Sequence, residues 1–317
     1  MLVAAVFAGA LDGGMDRLPR LVFRSTLVGD GVVDSEIRRD CRSGRLVRIR
    51  RGAYLPGDVT VRSPEARHAL LVVAEAARLA PGSVVSHVSA AVLHGLPIWD
   101  VPLERVQVTR ARATGARNGP SVRVHSAPLD ASEIIQLGEV HVTSPARTVV
   151  DLARRSPFES AVVTADAALR RGLVAREDLD RALLRAAGWR GVPSARRVVA
   201  FADERSESVG ESRSRVAIWS AGLPTPTLQW EVRHQGGVLG RTDFAWPEAG
   251  LVAEFDGRVK YGRLLAPGEE PGDVVFAEKI REDAIRATGL TMKRWNWYDL
   301  ADFAVTAAAL RAALAMP

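Results

Sequence analysis

Val238-Leu239-Gly240-Arg241-Thr242-Asp243-Phe244-Ala245-Trp246, Pro247-Glu248-Ala249-Gly250 and Leu251-Val252-Ala253-Glu254-Phe255-Asp256 follow one another without a break, and their reading decides the fold of the carboxy-terminal third. Two apolar-rich runs flank a Pro/Gly turn, which predicts adjacent antiparallel strands. Period-two alternation puts Glu254 and Asp256 on one face of the second strand and Leu251, Ala253 and Phe255 on the other. Asp243 sits on the neighbouring strand, eleven positions before Glu254. Carboxylates gathered in this way repel and raise one another's pKa unless a cation neutralises them. Oxygen-only ligands suit a hard ion, Mg²⁺ or Mn²⁺. Such an ion activates water and stabilises charge on a phosphodiester under attack.

Outward from this stretch the pattern continues as helix, three strands, helix, strand, helix. Glu211, Arg215, Val216 and Trp219 fall on a helix ending at Ala221-Gly222, and Leu228 to Arg233 pairs with Val238 to Trp246 around Gln235-Gly236-Gly237. Phe276 to Thr288 reads as a helix with Ala277, Ile280, Ala284 and Ala287 inward, Thr291 to Trp295 as the last strand, and the final helix starts near Asp299. Trp295, Trp297 and Tyr298 read as core and helix-staple residues rather than base-stacking platforms.

This order and spacing resembles the PD-(D/E)xK nuclease superfamily, in particular its small branch similar to very-short-patch repair endonucleases. The resemblance implies a restriction-endonuclease-like αβββαβα domain over residues 203–317, with Asp243 as the first acid, Glu254 as the second and Glu211 as the helical glutamate of many members. Asp243, Glu254 and Asp256 are then the metal ligands. Asp256 stands where the family places lysine, a carboxylate that some members use. Lys260, four residues on, is preferred over Lys279 as the cation of the site. The alternative is structural: Asp243 and Glu254 salt-bridged to Arg241 or Arg258, with Lys279, Arg281, Glu282, Asp283 and Arg286 as a solvated helix face.

At the other end of the chain, Leu21 to Val28 predicts a helix closed by Gly29-Asp30-Gly31. Asp34 offers an N-cap to a second helix over Ser35 to Ser43, with Gly44 just past its end. Leu46-Val47-Arg48-Ile49-Arg50 alternates as a half-exposed strand, Arg51-Gly52 turns, and Ala53-Tyr54-Leu55 returns. Helix, helix and a two-stranded ribbon is the order of a winged helix-turn-helix, here over residues 15–56. Arg38, Arg39 and Arg42 lie on its second helix, and Arg45, Arg48, Arg50 and Arg51 on the wing. These seven arginines face one acid, Asp40, a density that points to DNA rather than to a solvated surface.

Residues 57–202 mix helices with short strands at Val106 to Thr109, Val122 to His125 and Val140 to Thr143. Arg110 to Arg117 is a basic loop, read equally as a phosphate contact or a solvated tip. Ser144 caps a helix with Pro145 in its first position. His87 and His94 lack carboxylate partners and read as capping or core residues rather than a metal pair. The wing from Arg45-Leu46 to Gly52-Ala53-Tyr54, Ser86-His87-Val88-Ser89-Ala90-Ala91 with His94-Gly95-Leu96-Pro97, and Thr143-Ser144-Pro145-Ala146-Arg147-Thr148 with Asp151-Leu152-Ala153 together resemble the AbiEi-type antitoxin family over roughly residues 17 to 200. The resemblance implies a winged-helix DNA reader, a middle domain, transcriptional autoregulation and, as a partner, a cognate toxin.

Composition sets the frame for both resemblances. The 317 residues are 47% hydrophobic and 25% charged with a net charge of +6, as expected of a multidomain α/β (α+β) protein with a polyanionic partner. Cys41 stands alone, which excludes intramolecular disulfides and thiolate zinc sites and suits a reducing cytoplasm. Met1 to Ala10 is apolar but short and lacks a basic flank, so it predicts neither signal peptide nor membrane helix, and Met15 is an alternative start. The leading expectation is a cytoplasmic DNA-binding protein with a Mg²⁺-dependent endonuclease domain. The alternatives are a repressor or antitoxin whose nuclease fold is a retained scaffold, and a protein-binding module.

Overall fold

Apolar residues pair the described strands into three sheets, two within Met1–Phe201 and one within Ala202–Pro317, the two units into which this mixed α/β chain divides. The computed structural model describes residues 18–61, 63–111, 119–257 and 280–315. Lys260, Lys279, Arg258, Ala277 and residues 112–118 of the basic loop lie outside the described residues.

The first unit opens with β1 (Val22–Phe23), α1 (Arg24–Gly29), α2 (Asp34–Arg42), β2 (Leu46–Arg50) and β3 (Ala53–Pro56), and its sheet runs β1-β3-β2. The helix expected from Leu21 starts three residues later. Val22 and Phe23 pair with Tyr54 and Ala53 instead, because a β-branched and an aromatic residue gain more beside β3 than in a helix. Asp34 is not the N-cap. Both its oxygens accept from Arg24 at 2.8 and 2.7 Å, while Glu36 reaches back to the Val33 N–H at 3.1 Å. Leu18, Leu21, Ala53 and Leu55 share one core with Leu70, Val72, Leu93 and Val142, so β3, the residues before β1 and the elements that follow bury a common interior.

That interior is completed by α3 (Pro64–Ala76), β4 (Val84–Val85), α4 (His87–Leu93), β5 (Val106–Arg110), β6 (Val122–Ser126), β7 (Ile134–Leu137) and β8 (Val140–Thr143), with sheet order β6-β5-β4-β8-β7. Four helices close the unit: α5 (Pro145–Ala153), α6 (Phe158–Arg170), α7 (Arg176–Arg185) and α8 (Val192–Phe201). α5 begins as its sequence predicts. Ser144 accepts from the Arg147 N–H at 3.4 Å, and Pro145 occupies the position where a missing N–H costs nothing.

The second unit contains α9 (Val209–Ser220), β9 (Thr227–His234), β10 (Gly237–Trp246), β11 (Leu251–Asp256), a helix α10 whose described part covers 280–287, β12 (Thr291–Asn296), α11 (Trp297–Ala301) and α12 (Ala304–Leu314). Its sheet runs β12-β11-β10-β9, with β11 antiparallel to β10 and parallel to β12. One face packs Phe244, Leu251, Ala253, Phe255 and Trp295 on Ile218, Ala307 and Leu310. The other gathers Ala245, Val252 and Met292 around Ile285. Ile285, not Ile280, is therefore the inward residue of α10; Ile280 is exposed, and so is Ala287. Tyr298 is likewise exposed, whereas Trp295 is buried and donates through Nε1 to Ser214 Oγ at 2.7 Å. Among the described residues no helix is long and apolar enough to cross a membrane.

Candidate functional site

In the first unit, Ile37 anchors α2 in the core and leaves Arg38, Arg39 and Arg42 exposed. Arg48 and Arg51 are exposed on the wing, and none of these five forms an ion pair among the described residues. Arg45 is also exposed, but it is paired with Asp40, to which its Nε donates at 3.0 Å. Arg50 departs from its predicted role. Its guanidinium turns inward, donates to the Ala74 carbonyl at 2.8 Å and faces the buried Glu75 at 3.3 Å. The cause is an irregularity in the β2–β3 register between Arg48 and Arg50, which breaks the alternation that would keep both on one face.

In the second unit the acidic residues lie on the face that carries Ile285. Phe244 pairs with Ala253, so Asp243 and Glu254 stand one step beyond the last registered pair, directly across from each other. Asp243 Oδ2 accepts the Phe255 N–H at 2.8 Å and so takes a ladder position from the neighbouring strand. Glu254 meets two guanidiniums: Arg281 Nη2 of α10 at 2.7 Å and Arg294 Nη2 of β12 at 2.9 Å. Arg294 also reaches Glu282 at 3.1 Å, and Glu282 in turn pairs with Arg286. Gly240 leaves the room for this: a Cβ there would lie 3.2–3.3 Å from the Arg281 side chain. Asp256 is paired in register with Asn296, and its carboxylate has no hydrogen bond or ion pair among the described residues.

Glu211 reaches the edge of this cluster through Gln229, which lies between Leu228 and Trp230, the partners of Phe244 and Thr242, and so across from Asp243. Its carboxylate accepts from the Glu207 N–H at 2.9 Å, Ser208 Oγ at 2.8 Å and Gln229 Nε2 at 2.8 Å. Burial raises its pKa, and these three donors oppose the rise. α9 packs on the Phe255 face: a Cβ on Gly210 would sit 1.9 Å from that ring. Glu211 thus caps α9 and ties it to β9. Arg241, the expected structural partner of the acids, pairs with Glu207 at 2.7 Å instead. Among the described residues no three His, Cys, Asp or Glu side chains come together closely enough to hold a metal. The carboxylates are of the right type for Mg²⁺, and at Glu254 such an ion would share the carboxylate with Arg281 and Arg294.

A second polar centre, in the first unit, went unread in the sequence. Arg147 is buried and bonds Asp151 at 2.8 Å and Glu133 at 2.9 Å, and Asp151 also holds Arg154 at 2.9 Å. The Trp189 ring lies 4.6 Å from the Arg147 guanidinium and 4.8 Å from that of Arg154. His87 does not partner His94, whose Nε2 bonds the Thr143 carbonyl at 2.8 Å. It stacks instead on His125 with ring centroids 3.7 Å apart. Burial, reinforced by surrounding arginines, pushes His87 down to about 3, and burial beside His87 does the same for His125. Both rings are neutral at pH 7. The only sequence signal was His125 at the end of an alternating strand, and its partner lies on another element.

No family model matches the chain. It is similar to two proteins of Mycobacterium tuberculosis, the uncharacterized protein MT2308 of strain CDC 1551 and the uncharacterized protein Rv2248 of strain H37Rv. Each is 42% identical over 114 residues, 36% of this chain. The chain spans 42% of the length of these relatives. A crystal structure of the RV2827C protein, also from Mycobacterium tuberculosis, aligns over 66% of this chain and 78% of its own, at 19% identity and a TM-score of 0.37.

Proposed function

We propose that this chain binds duplex DNA through α2 and the β2–β3 wing. The observation that carries this reading is the set of five exposed arginines, Arg38, Arg39, Arg42, Arg48 and Arg51, without ion-pair partners among the described residues. A helix in the major groove reads base edges, while wing arginines grip phosphates and release counterions. Gel-shift titrations across salt test it. A steep loss of affinity with salt is expected, and a flat profile would remove the reading.

For the second unit the proposal is a nuclease-like domain in which Asp243 and Glu254, with Asp256 beyond them, contact a Mg²⁺ or Mn²⁺ ion and a DNA phosphodiester. The support is the juxtaposition of the two acids on adjacent strands, beside guanidiniums suited to a phosphate. A bound cation would supply Lewis-acid activation of water and phosphate. One observation favours a second reading, a repressor or antitoxin that keeps the fold without cleavage: both Glu254 oxygens are already taken by arginines. Incubation of plasmid, linear duplex and single-stranded DNA with Mg²⁺ or Mn²⁺, beside a calorimetric metal titration, separates the two. Cleavage that disappears in Glu254→Ala supports the nuclease. Sequence-selective DNA binding with no metal uptake and no cleavage supports the repressor.

A further inference from the structure

Between β5, β6 and the end of α5, the first unit holds a cleft of about 510 Å³ that none of the expected functions uses. Arg105, Arg123, Arg154, Arg155 and Arg190 line it, against two acids, Asp100 and Glu104. Arg154 is paired with Asp151, whereas Arg105, Arg123, Arg155 and Arg190 form no ion pair among the described residues. Five guanidiniums around one cleft repel one another, and an anion lodged among them removes that repulsion.

The wall carries a second, independent sign of a ligand. His87 lines the cleft, is 4% exposed, and keeps its Nε2 buried without a hydrogen-bond partner. Its other ring nitrogen is satisfied, since Thr109 Oγ1 donates to Ser86 Oγ at 2.8 Å and Ser86 Oγ lies 2.9 Å from Nδ1. With Ser86 accepting from Thr109 and donating to Nδ1, the imidazole proton sits on Nε2, a buried donor in search of an acceptor. The backbone of His87 is held at φ 52°, a left-handed conformation that non-glycine residues adopt at a cost and that the surrounding structure must enforce. On the opposite side of the stack, His125 Nε2 is fixed by Gln107 Oε1 at 2.9 Å.

We infer that this cleft is a binding site for a phosphoryl group, carried by a mononucleotide-sized ligand or by the 5′ end of a nucleic acid strand. Guanidinium forks match the oxygens of a phosphate dianion, several around one anion as here. The volume fits a small molecule rather than a duplex, within the usual range of ligand pockets. No residue of α2, β2 or β3 lines the cleft, and its occupancy does not depend on the DNA-binding or nuclease readings.

Calorimetric titration of the full chain with adenosine monophosphate against adenosine, and with a 5′-phosphorylated dinucleotide against its 5′-hydroxyl form, at matched ionic strength, tests the proposal. The phosphorylated probes bind in the micromolar to millimolar range and their counterparts do not. Arg123→Ala with Arg155→Ala, both exposed side chains, weakens binding ~10-fold or more with an unchanged melting temperature. A dinucleotide that outbinds the mononucleotide assigns the site to nucleic acid ends, and the reverse order assigns it to free nucleotides. Equal affinity for phosphorylated and unphosphorylated probes, no binding at millimolar concentration, or affinity untouched by the double substitution overturns it.

Discussion

The Glu254 carboxylate and the Arg281 guanidinium meet at 2.7 Å across the face of the second unit's sheet, and Arg294 closes on the same carboxylate from the other side at 2.9 Å. Three elements distant in sequence are tied together by this one acid. Glu254→Ala removes the shared partner and leaves two guanidiniums facing each other in a half-buried setting. Arg294 keeps Glu282 and Arg281 keeps the Arg241 carbonyl, so chemical denaturation is expected to show a loss of ~1–3 kcal/mol, the range for charged hydrogen bonds lost at a partly buried site. The alternative, an acid whose removal relieves repulsion from Asp243 and Asp256, predicts no loss or a gain. A double-mutant cycle with Arg281→Ala reports the coupling directly.

Arg48 and Arg50 are two residues apart and do different work. Arg48→Ala is expected to weaken duplex DNA binding at all sequences and to reduce the salt slope by about one, with little change in stability. Arg50→Ala strands Glu75 and the Ala74 carbonyl beneath the wing, so it lowers the denaturation midpoint. Gel shifts and melting curves on both variants distinguish the roles. A salt slope flattened equally by the two would place Arg50 on the DNA.

The sequence was legible where local pattern governs. Alternation along Leu251–Asp256 placed Glu254 and Asp256 on one face, and the element order of helix, three strands, helix, strand and helix is read the same way, whereas the place of β12 beside β11 is not. It was not legible where distant elements decide. Arg281 comes 27 positions after Glu254, and no periodicity links them. Arg50 obeys the strand pattern in sequence and escapes it through a register irregularity that only the partner strand reveals. His87 reads from the sequence as a capping or core residue, but its ring partner, His125, is brought in by β6 and no local spacing links the two.

Gly210 is a steric requirement rather than a conformational one. A methyl group there would lie 1.9 Å from Cε1 of Phe255 and 2.5 Å from Cζ, so either the ring or α9 must move. Gly210→Ala should cost ~1–3 kcal/mol, the usual penalty of overpacking a core, despite alanine's higher helix propensity. Phe255→Leu in the same chain should recover part of it. A Gly210→Ala protein that melts above the parent would mean that helix propensity outweighs the contact.

The stacked pair His87 and His125 sets how stability responds to acid. Both are held down to about 3, burial being the first cause; His87 also faces Arg155, Arg147, Arg154 and Arg123, and His125 faces His87, Arg155, Arg123 and, with opposite sign, Asp151. In the unfolded chain each titrates near 6.5. Between these values the unfolded state binds more protons than the folded one, so stability is fully present above pH 6.5 and falls as pH drops toward 3. Burial depresses His68 and His94 as well, which adds to the same slope. A single displaced histidine contributes up to ~1.4 kcal/mol per pH unit within its window, so the loss between pH 7 and 5 should be several kcal/mol. Urea denaturation in phosphate-free buffer across that range measures it. His125→Phe keeps a ring stacked on His87 while removing one titrating group and the charge it would present to His87. Its stability should therefore fall less steeply with acid than that of the parent, and equal slopes would show that the pair is not what the proton destabilises.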